Sequence, residues 1–568
     1  MEYYRSKKVV IAFWCLFFLG AGLRVVGVWH PVDRPSWREC DVAAIARNYY
    51  REGMNLFYPR IDWRGDGPGY AEMEFPLYPW LIAVLYKLFG FHEFLGRLLV
   101  FVFSLITLGL FFQLARSLLP PFGALAASLF FVLSPLVVGI SHSLQPEGLM
   151  LLCYILAVYA FIRWLDDERS WHYYSLALGA TALAILAKAT AAHIGLFFAA
   201  LVLGRMGVGA LRRPRIWVFG VVSLLPAILW YAHARHFWLT YGNSLGVSNE
   251  YHWAGWDLFT NRSFILGIAG SEIFYVWIPT GVLVIAVGLF LKKSDRAIEY
   301  SLYWLASILV FYLIAARTTS ASWAVYYHVI SVPPVAILFG AGFDALLWLR
   351  LSRQLLILLI ISLGIVTAAL GLAGIPVLLE FHSKWLLKFS ILCGMSGAIL
   401  AAFYAYRTGT GHEKIGGAKS SLFNGLVVCL VAICAAATFL YQARQIIEDV
   451  RSWSMNEGLY ACAKAFAPEV PDQVLIVASG GPCRGPTGYP VAYNSSYMFY
   501  WLDHKGFNIC EEEQSVAALK ALAQRGARYF IAEKYELGKK PGIEADLRKA
   551  FPVRRECKDA LMFDLSVQ

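Results

Sequence analysis

Apolar segments of about 20 residues recur along most of this chain, and that is the length a helix needs to cross a bilayer core. Only 15% of the 568 residues are charged, whereas soluble proteins carry about 25%. The mean hydropathy of +0.57 agrees with this deficit. The sequence therefore predicts an α-helical polytopic membrane protein with about 13 transmembrane helices. The predicted spans cover residues 9–29, 95–118, 123–140, 148–165, 175–187, 193–206, 217–232, 274–291, 302–315, 326–349, 355–379, 385–406 and 422–441.

The distribution of Lys and Arg predicts how these spans are oriented, because cytoplasmic loops of membrane proteins are enriched in both residues. With the N-terminus in the cytoplasm, the short inner loops are rich in basic residues and the short outer loops are poor in them. The net charge of +11 is then a topology signal and not evidence of nucleic-acid binding. We expect a multi-pass inner-membrane protein whose first long loop (30–93) and C-terminal tail are periplasmic.

A change in composition near residue 442 predicts two domains. Residues 1–441 form the transmembrane module, which includes the extracytoplasmic loop 30–93 with its amphipathic helices. Residues 442–568 mix polar and apolar positions and are expected to form a small extracytoplasmic α/β domain. Within this tail, Gln473–Ser479 and Ala527–Glu533 favour buried strands, and the segment between Glu513 and Ala527 favours an amphipathic helix.

Four cysteines of the tail suit an oxidising compartment, where disulfides form and persist. Four cysteines allow three pairings, and the sequence does not choose among them. They are Cys462, Cys483, Cys510 and Cys557.

The first outer loop carries the most informative acidic residues. Asp41 lies near the start of a predicted amphipathic helix in "WRECDVAAIARNYYREG". Glu74 precedes the apolar stretch "FPLYPWLIAVLYKLFG", which is predicted to lie at the membrane interface. Both carboxylates could act on a substrate held at the membrane surface. Asp41 could instead only cap its helix.

Ionisable residues at the edge of the lipid are functional candidates because burying a charge there is costly. By the predicted topology, Glu147, Lys188 and Arg317 cluster at the outer face, on the same side as Asp41. Acidic and basic groups at the mouth of an apolar groove would suit a lipid phosphate. The alternatives are a helix-capping role for Glu147 and snorkelling for the two basic side chains.

These features together resemble the GT-C membrane glycosyltransferases, in the branch of the protein O-mannosyltransferases and the lipid A aminoarabinose transferase (glycosyltransferase family 39-like). The resemblance covers nearly the whole chain and rests on the long first loop, an arginine at the start of the second span and the outer C-terminal domain. Two motifs also contribute, "D...IAR.....G" at Asp41, Ile45, Ala46, Arg47 and Gly53, and "E.PLYPW" at Glu74 and residues 76–80.

The resemblance implies an enzyme that moves a sugar from a polyprenyl-phosphate donor to a lipid, polysaccharide or protein acceptor of the cell envelope. Asp41 would be the catalytic base of an inverting reaction, and Glu147 an auxiliary acid or an acceptor-orienting group. The other candidates are Lys188, Arg317 and Arg47 for the donor phosphate, Glu74, Trp37 and His328 as supporting or substrate-binding residues, and Glu74 with His142 as ligands of a divalent metal ion.

Phe75 is a departure from the aminoarabinose transferases, which resemble "KPPL" where this chain has "EFPL". The lysine expected to meet the donor phosphate is therefore missing, and this argues against transfer of aminoarabinose to lipid A.

Two other functions remain open at this stage. A lipid-linked-sugar flippase or transporter would also have charged residues in a cavity, but near the bilayer midplane and in repeated halves. A ligase would transfer a whole glycan from a diphosphate lipid, and the sequence does not separate the two kinds of donor.

Overall fold

A computed structural model describes most of the chain. The described residues are 7–246, 260–278, 281–282, 284–286, 289, 295–314, 319–347, 436, 438–450, 457–484 and 494–566. The predicted spans at 355–379 and 385–406, and most of the span at 422–441, lie outside these residues, as does Arg317.

Seven helices of the described part are long and apolar enough to cross a membrane. A bent pair of shorter helices would make an eighth span. The protein is therefore a multi-pass membrane protein, and the count of about 13 spans stays a prediction. The helices of this part are α1 (Lys7–Val25), α2 (Trp37–Glu52), α3 (Leu77–Phe89), α4 (Phe94–Leu118), α5 (Pro121–Val132), α6 (Pro135–His142), α7 (Glu147–Asp166), α8 (Trp171–Ala187), α9 (Ile194–Met206), α10 (Pro214–Tyr241), α11 (Arg262–Ser271), α12 (Arg296–Ile314) and α13 (Val332–Leu347).

The bent pair, α5 and α6, replaces the continuous span predicted at 123–140. The two helices meet at an angle of 50°. Pro135 begins α6 and lacks the N–H that a continuous helix would need. The buried Arg24 of α1 donates two hydrogen bonds to the carbonyl of Val132 at the end of α5, each 3.1 Å long. Arg24 therefore satisfies a backbone acceptor that the break leaves unpaired.

Helix α2 lies in the first loop and is buried along most of its length. Ser36 caps its start by accepting a hydrogen bond from the backbone N–H of Glu39 at 3.3 Å. Gly53 ends it with a φ of 131°, a conformation that favours glycine. One face of α2 packs on α3, and another packs on a helix of the C-terminal region.

The C-terminal region folds around a five-stranded mixed sheet with the order β2-β1-β3-β5-β4. Strand β1 runs parallel to both β2 and β3, and β5 is antiparallel to β3 and β4. The strands are β1 (Leu475–Ser479), β2 (Lys505–Ile509), β3 (Ala527–Glu533), β4 (Val553–Glu556) and β5 (Ala560–Asp564). The helices are α14 (Glu457–Phe466), α15 (Ser496–Leu502), α16 (Val516–Gln524), α17 (Lys534–Lys539) and α18 (Ile543–Ala550).

This mixed sheet confirms the small C-terminal α/β domain. Disulfides join Cys462 to Cys557 and Cys483 to Cys510, which is one of the three pairings left open. Helical residues 438–450 run across the predicted domain boundary at 441/442. The boundary itself stays a prediction.

Candidate functional site

Asp41 lies on α2 and is completely buried. Its Oδ1 accepts a hydrogen bond from the indole N–H of Trp63 at 2.8 Å. Its Oδ2 accepts one from the side-chain amide of Asn494 at 3.0 Å. Burial raises the pKa of the Asp41 carboxyl to about 7, although both hydrogen bonds and the charge of Arg38 act to lower it. A carboxylate with this pKa can accept a proton near neutral pH.

Arg38 lies one helical turn before Asp41 and contacts Glu74, another charged residue of the site. Its Nη1 is 3.1 Å from the Oε2 of Glu74, and both side chains are buried. Its guanidinium lies 4.7 Å from the ring centroid of Trp37. Glu74 and Trp37, predicted as supporting residues, therefore both contact Arg38, which was not among the predicted site residues.

Glu147 and Lys188 form a direct buried ion pair. Glu147 begins α7, and Lys188 follows the last residue of α8. The ammonium also lies over the rings of Tyr326 and Tyr327, at 4.9 and 4.5 Å from their centroids. The Oε2 of Glu147 is buried and has no hydrogen-bond partner among the described residues. This pair therefore keeps an acceptor atom that a bound hydroxyl could use.

The backbone connects the two ion pairs. The N–H of Phe75, next to Glu74, donates to the carbonyl of Leu186, two residues before Lys188, at 3.1 Å. The charges of Glu74 and Arg38 both act electrostatically on Lys188. Asp41, Arg38, Glu74, Lys188 and Glu147 thus form one buried charged cluster, hereafter the charged cluster.

An apolar cavity of about 590 Å³ opens beside the charged cluster. Phe75 and Leu186 line it, and so they join its wall to the segments that carry Glu74 and Lys188. The remaining lining residues are Asn55, Phe57, Tyr58, Pro226, Leu229, Trp230 and His233.

Arg47, predicted to contact a donor phosphate, lies outside the charged cluster. Its guanidinium contacts the carboxylate of Asp62 at 2.6 Å and that of Asp503 at 2.9 Å. It also donates to the carbonyl of Tyr500 at 3.1 Å. Arg47 therefore links the first loop to the C-terminal domain, and its role at a donor phosphate stays a prediction.

His328 is also engaged elsewhere. Its Nδ1 is 2.7 Å from the Oε1 of Glu272, and its Nε2 is 2.8 Å from the carbonyl of Thr319. The ring is completely buried. Both ring nitrogens contact protein atoms, and the substrate-binding role of His328 stays a prediction.

The predicted metal ligands Glu74 and His142 have different partners. Glu74 contacts Arg38, while the Nε2 of His142 is 3.1 Å from the carbonyl of Arg24. Within the described ranges, no group of three or more His, Cys, Asp or Glu side chains includes either residue. These donors do not form a set that fits a divalent metal ion.

Two residues that hold Asp41 were missed in the sequence. Trp63 lies in the same loop, but a tryptophan between acidic and basic residues carries no distinguishing signal. Asn494 is 453 residues away from Asp41, and a single sequence gives no sign of such a contact. Arg38 could have been found, because positions three apart on a helix are neighbours.

Part of the chain matches a known protein family, and its fold matches solved structures. Residues 68–231 match the family model of the dolichyl-phosphate-mannose-protein mannosyltransferases. No curated protein matches the sequence. Among solved structures, ArnT from Cupriavidus metallidurans bound to undecaprenyl phosphate is 16% identical, with a TM-score of 0.60, and the match covers 99% of each chain.

The same ArnT in its apo state has 16% identity and a TM-score of 0.59, with 98% of this chain and 97% of that chain covered. The oligosaccharyltransferase of Archaeoglobus fulgidus in its apo form has 11% identity and a TM-score of 0.50. That match covers 94% of this chain and 70% of the other. The predicted resemblance is confirmed, and this multi-pass membrane protein has the GT-C glycosyltransferase fold.

Proposed function

We propose that the protein is a glycosyltransferase that moves a sugar from a polyprenyl-phosphate donor to an acceptor of the cell envelope. The observation that carries this proposal is the charged cluster, with the buried carboxylate of Asp41 in it, beside the apolar cavity. A base, a set of cations and an apolar cavity together suit a sugar phosphate with a lipid tail. The general activity, lipid-linked sugar transfer, agrees with the GT-C fold.

Asp41 is the base in this proposal. An acceptor hydroxyl attacks the anomeric carbon, a new C–O bond forms, and the bond to the phosphate oxygen breaks. Asp41 takes the hydroxyl proton, and the leaving phosphate takes the bonding electrons. A single displacement of this kind inverts the anomeric centre. Its raised pKa, about 7, makes Asp41 a better base than an ordinary carboxylate once it is ionised.

Lys188 and Arg38 are the proposed contacts of the donor phosphate. Each already lies against a carboxylate, so an arriving phosphate would join an existing network of charge-assisted hydrogen bonds. Glu147 holds the Lys188 ammonium, and its second oxygen can accept from an acceptor hydroxyl. Arg317 stays a proposed phosphate contact from the sequence alone. Together these cations would stabilise the charge that develops on the leaving group.

The apolar cavity is the proposed place for the first isoprenoid units of the donor. Its volume of about 590 Å³ falls within the usual range for small-molecule sites. Phe75, which replaces the lysine expected from the aminoarabinose transferases, is part of its wall. Undecaprenyl phosphate is bound by ArnT of the same fold. These observations support a lipid-phosphate donor and leave the sugar open.

The site would act on the periplasmic face of the inner membrane, with the N-terminus in the cytoplasm. The enrichment of basic residues in the predicted inner loops supports this orientation. In this arrangement the transmembrane module 1–441 holds the donor, and the domain 442–568 covers the first loop from the outside. We propose no step through a metal ion, because Glu74 and His142 contact other groups.

The test compares envelope lipids, surface polysaccharide and secreted proteins by untargeted mass spectrometry. A strain lacking the protein is complemented with the intact chain, with Asp41→Asn or with Asp66→Asn, all at equal expression. Asp66 is an exposed carboxylate of the same loop and provides the matched control.

A sugar-sized mass that is restored by the intact chain and by Asp66→Asn, but not by Asp41→Asn, would support the proposal. Restoration of that mass by Asp41→Asn would refute the base assignment and favour a flippase. A mass equal to a whole glycan would favour a ligase.

A further inference from the structure

We propose that Asn494 of the C-terminal domain is a positioning residue that holds the carboxylate of Asp41 for catalysis. The inference rests on the proposed function, since Asn494 would hold Asp41, the base of that reaction. It also extends that function, because it makes the C-terminal domain a part of the active site.

The contact itself is the first observation. Each oxygen of Asp41 has one neutral nitrogen donor, Trp63 at 2.8 Å and Asn494 at 3.0 Å. Two donors on two oxygens fix the plane of the carboxylate, while each oxygen keeps a lone pair for an acceptor hydroxyl. Neutral donors hold the group without forming an ion pair. Asp41 therefore remains able to take up a proton.

The two residues that follow Asn494 are held by hydrogen bonds to two different elements. The hydroxyl of Ser495 donates to the carbonyl of Ser479, at the end of β1, at 2.5 Å. The hydroxyl of Ser496 donates to the carbonyl of Trp37 on α2 at 2.6 Å. Asn494 therefore lies between the sheet and the helix that carries Asp41, and its neighbours are fixed to both.

Helix α15, which follows Asn494, is joined to the first loop by further contacts. The indole N–H of Trp501 donates to the carbonyl of Val32 at 2.5 Å. Arg51 of α2 contacts the carboxylate of Asp503 at 2.8 Å. The position of α15 along α2 is thus set by several independent contacts, so the placement of Asn494 against Asp41 does not depend on one hydrogen bond.

Two charges also face Asp41. Arg38, on the same helix, stabilises its ionised form, and the carboxylate of Asp62 opposes ionisation. Asp62 is itself in contact with Arg47 and Lys505. Removing the Asn494 amide would therefore leave Asp41 with Trp63 as its single neutral donor among the described residues. The ionised carboxylate would become less stable, since a hydrogen bond from a neutral donor stabilises the charged form of a carboxylate.

The experiment follows Asp41 without relying on turnover. The full chain in lipid nanodiscs is labelled with 5-fluorotryptophan, and the fluorine resonance of Trp63 is assigned by its loss in Trp63→Phe. The Trp63 indole donates to Asp41, so its resonance should titrate with that carboxyl. We expect a midpoint near the pKa of about 7 in the intact chain. Asp41→Asn should remove the titration.

Asn494→Ala should raise this midpoint by about one pH unit. It should move the acidic limb of the kcat/KM profile in the same direction. Ser496→Ala is the matched control, because it removes a neighbouring contact between the same two elements and leaves the hydrogen bond from the Asn494 amide to Asp41 in place. It should keep the intact midpoint.

An unchanged midpoint in Asn494→Ala would overturn the inference, whatever the activity. An equal rise in Ser496→Ala would also overturn it, because the effect would then come from loosening the domain contact in general. A raised midpoint that is specific to Asn494→Ala would support the inference. If that result came with no sugar transfer by the intact chain, the proposed function alone would fail.

Discussion

Asp41 and Asp62 are both buried carboxylates of the first loop, yet their surroundings have opposite effects. Asp41 is 0% exposed and Asp62 1% exposed. Burial raises the pKa of Asp41 to about 7. Burial opposes ionisation of Asp62 too, but contacts with Arg47 and Lys505 lower its pKa to about 2.

The difference comes from the type of partner. Asp62 contacts two cations directly and accepts a further hydrogen bond from Asn48 at 2.8 Å. Asp41 accepts from the neutral groups of Trp63 and Asn494, and Arg38 turns towards Glu74. A carboxylate neutralised by bound cations is suited to joining domains. A carboxylate held by neutral donors keeps its capacity to accept a proton.

The largest expected effect is on activity. Asp41→Asn should lower sugar transfer about a thousandfold, because the amide cannot accept the acceptor proton. The measurement is the initial rate of transfer by purified protein in nanodiscs. Its thermal unfolding should show that the variant remains folded. If Asp41→Asn kept activity within tenfold of the intact chain, Asp41 would not be the base, and the proposed difference in role between Asp41 and Asp62 would be wrong.

Asp62→Asn should lower stability and leave activity nearly unchanged. Loss of the carboxylate removes a buried partner of Arg47, which should lower the free energy of unfolding by about 3 kcal/mol. Activity per folded molecule should stay close to that of the intact chain. Thermal unfolding of the detergent-solubilised protein and its specific activity measure the two effects. Unchanged stability would contradict the structural role of Asp62.

Arg38 and Arg47 offer a matched pair of substitutions on the same helix. Arg38→Lys should raise the KM for the lipid-linked donor about tenfold, because a lysine cannot reproduce the planar guanidinium contacts. Arg47→Lys should lower stability and leave this KM within about twofold. Donor titrations of both variants check the prediction. A larger effect on KM in Arg47→Lys would support the phosphate-binding role predicted for Arg47 from the sequence.

The smallest expected effect is the pH dependence of stability. A carboxyl whose pKa is raised on folding binds more protons in the folded state, so its contribution to stability falls as the pH rises towards the folded pKa. From pH 6 to pH 8, the free energy of unfolding of Asp41→Asn should therefore rise by about 1 kcal/mol relative to that of the intact chain.

Thermal unfolding of the two proteins at both pH values checks this. Asp62 should contribute no such change in this range, because its pKa of about 2 lies far below it. The stabilisation that Asp62 contributes should disappear only as the pH falls below the ordinary pKa of an aspartate towards 2. Equal pH dependence in the intact chain and in Asp41→Asn would contradict the raised pKa of Asp41.

The sequence predicted the class of fold and several members of the charged cluster. Helices long enough to span a membrane follow from local hydrophobicity, and strand β3 was predicted with its observed limits, Ala527–Glu533. The prediction that Glu147 and Lys188 lie together follows from the order of spans, and the structure pairs them. The partners of Arg47 and His328 were not predicted, because a sequence shows a charge or a ring without its partner.

The sequence by itself determined that this chain crosses a membrane repeatedly and ends in an α/β domain, because apolar length and periodicity are local properties. It also placed Asp41 at the start of a loop helix. Tertiary structure alone decided that Asp41 is held by neutral donors whereas Asp62 is held by cations. Asp41 and Asp62 differ through contacts with Asn494 and Lys505, both more than 400 residues away along the chain. Partners so distant are brought together only when the C-terminal domain packs on the first loop.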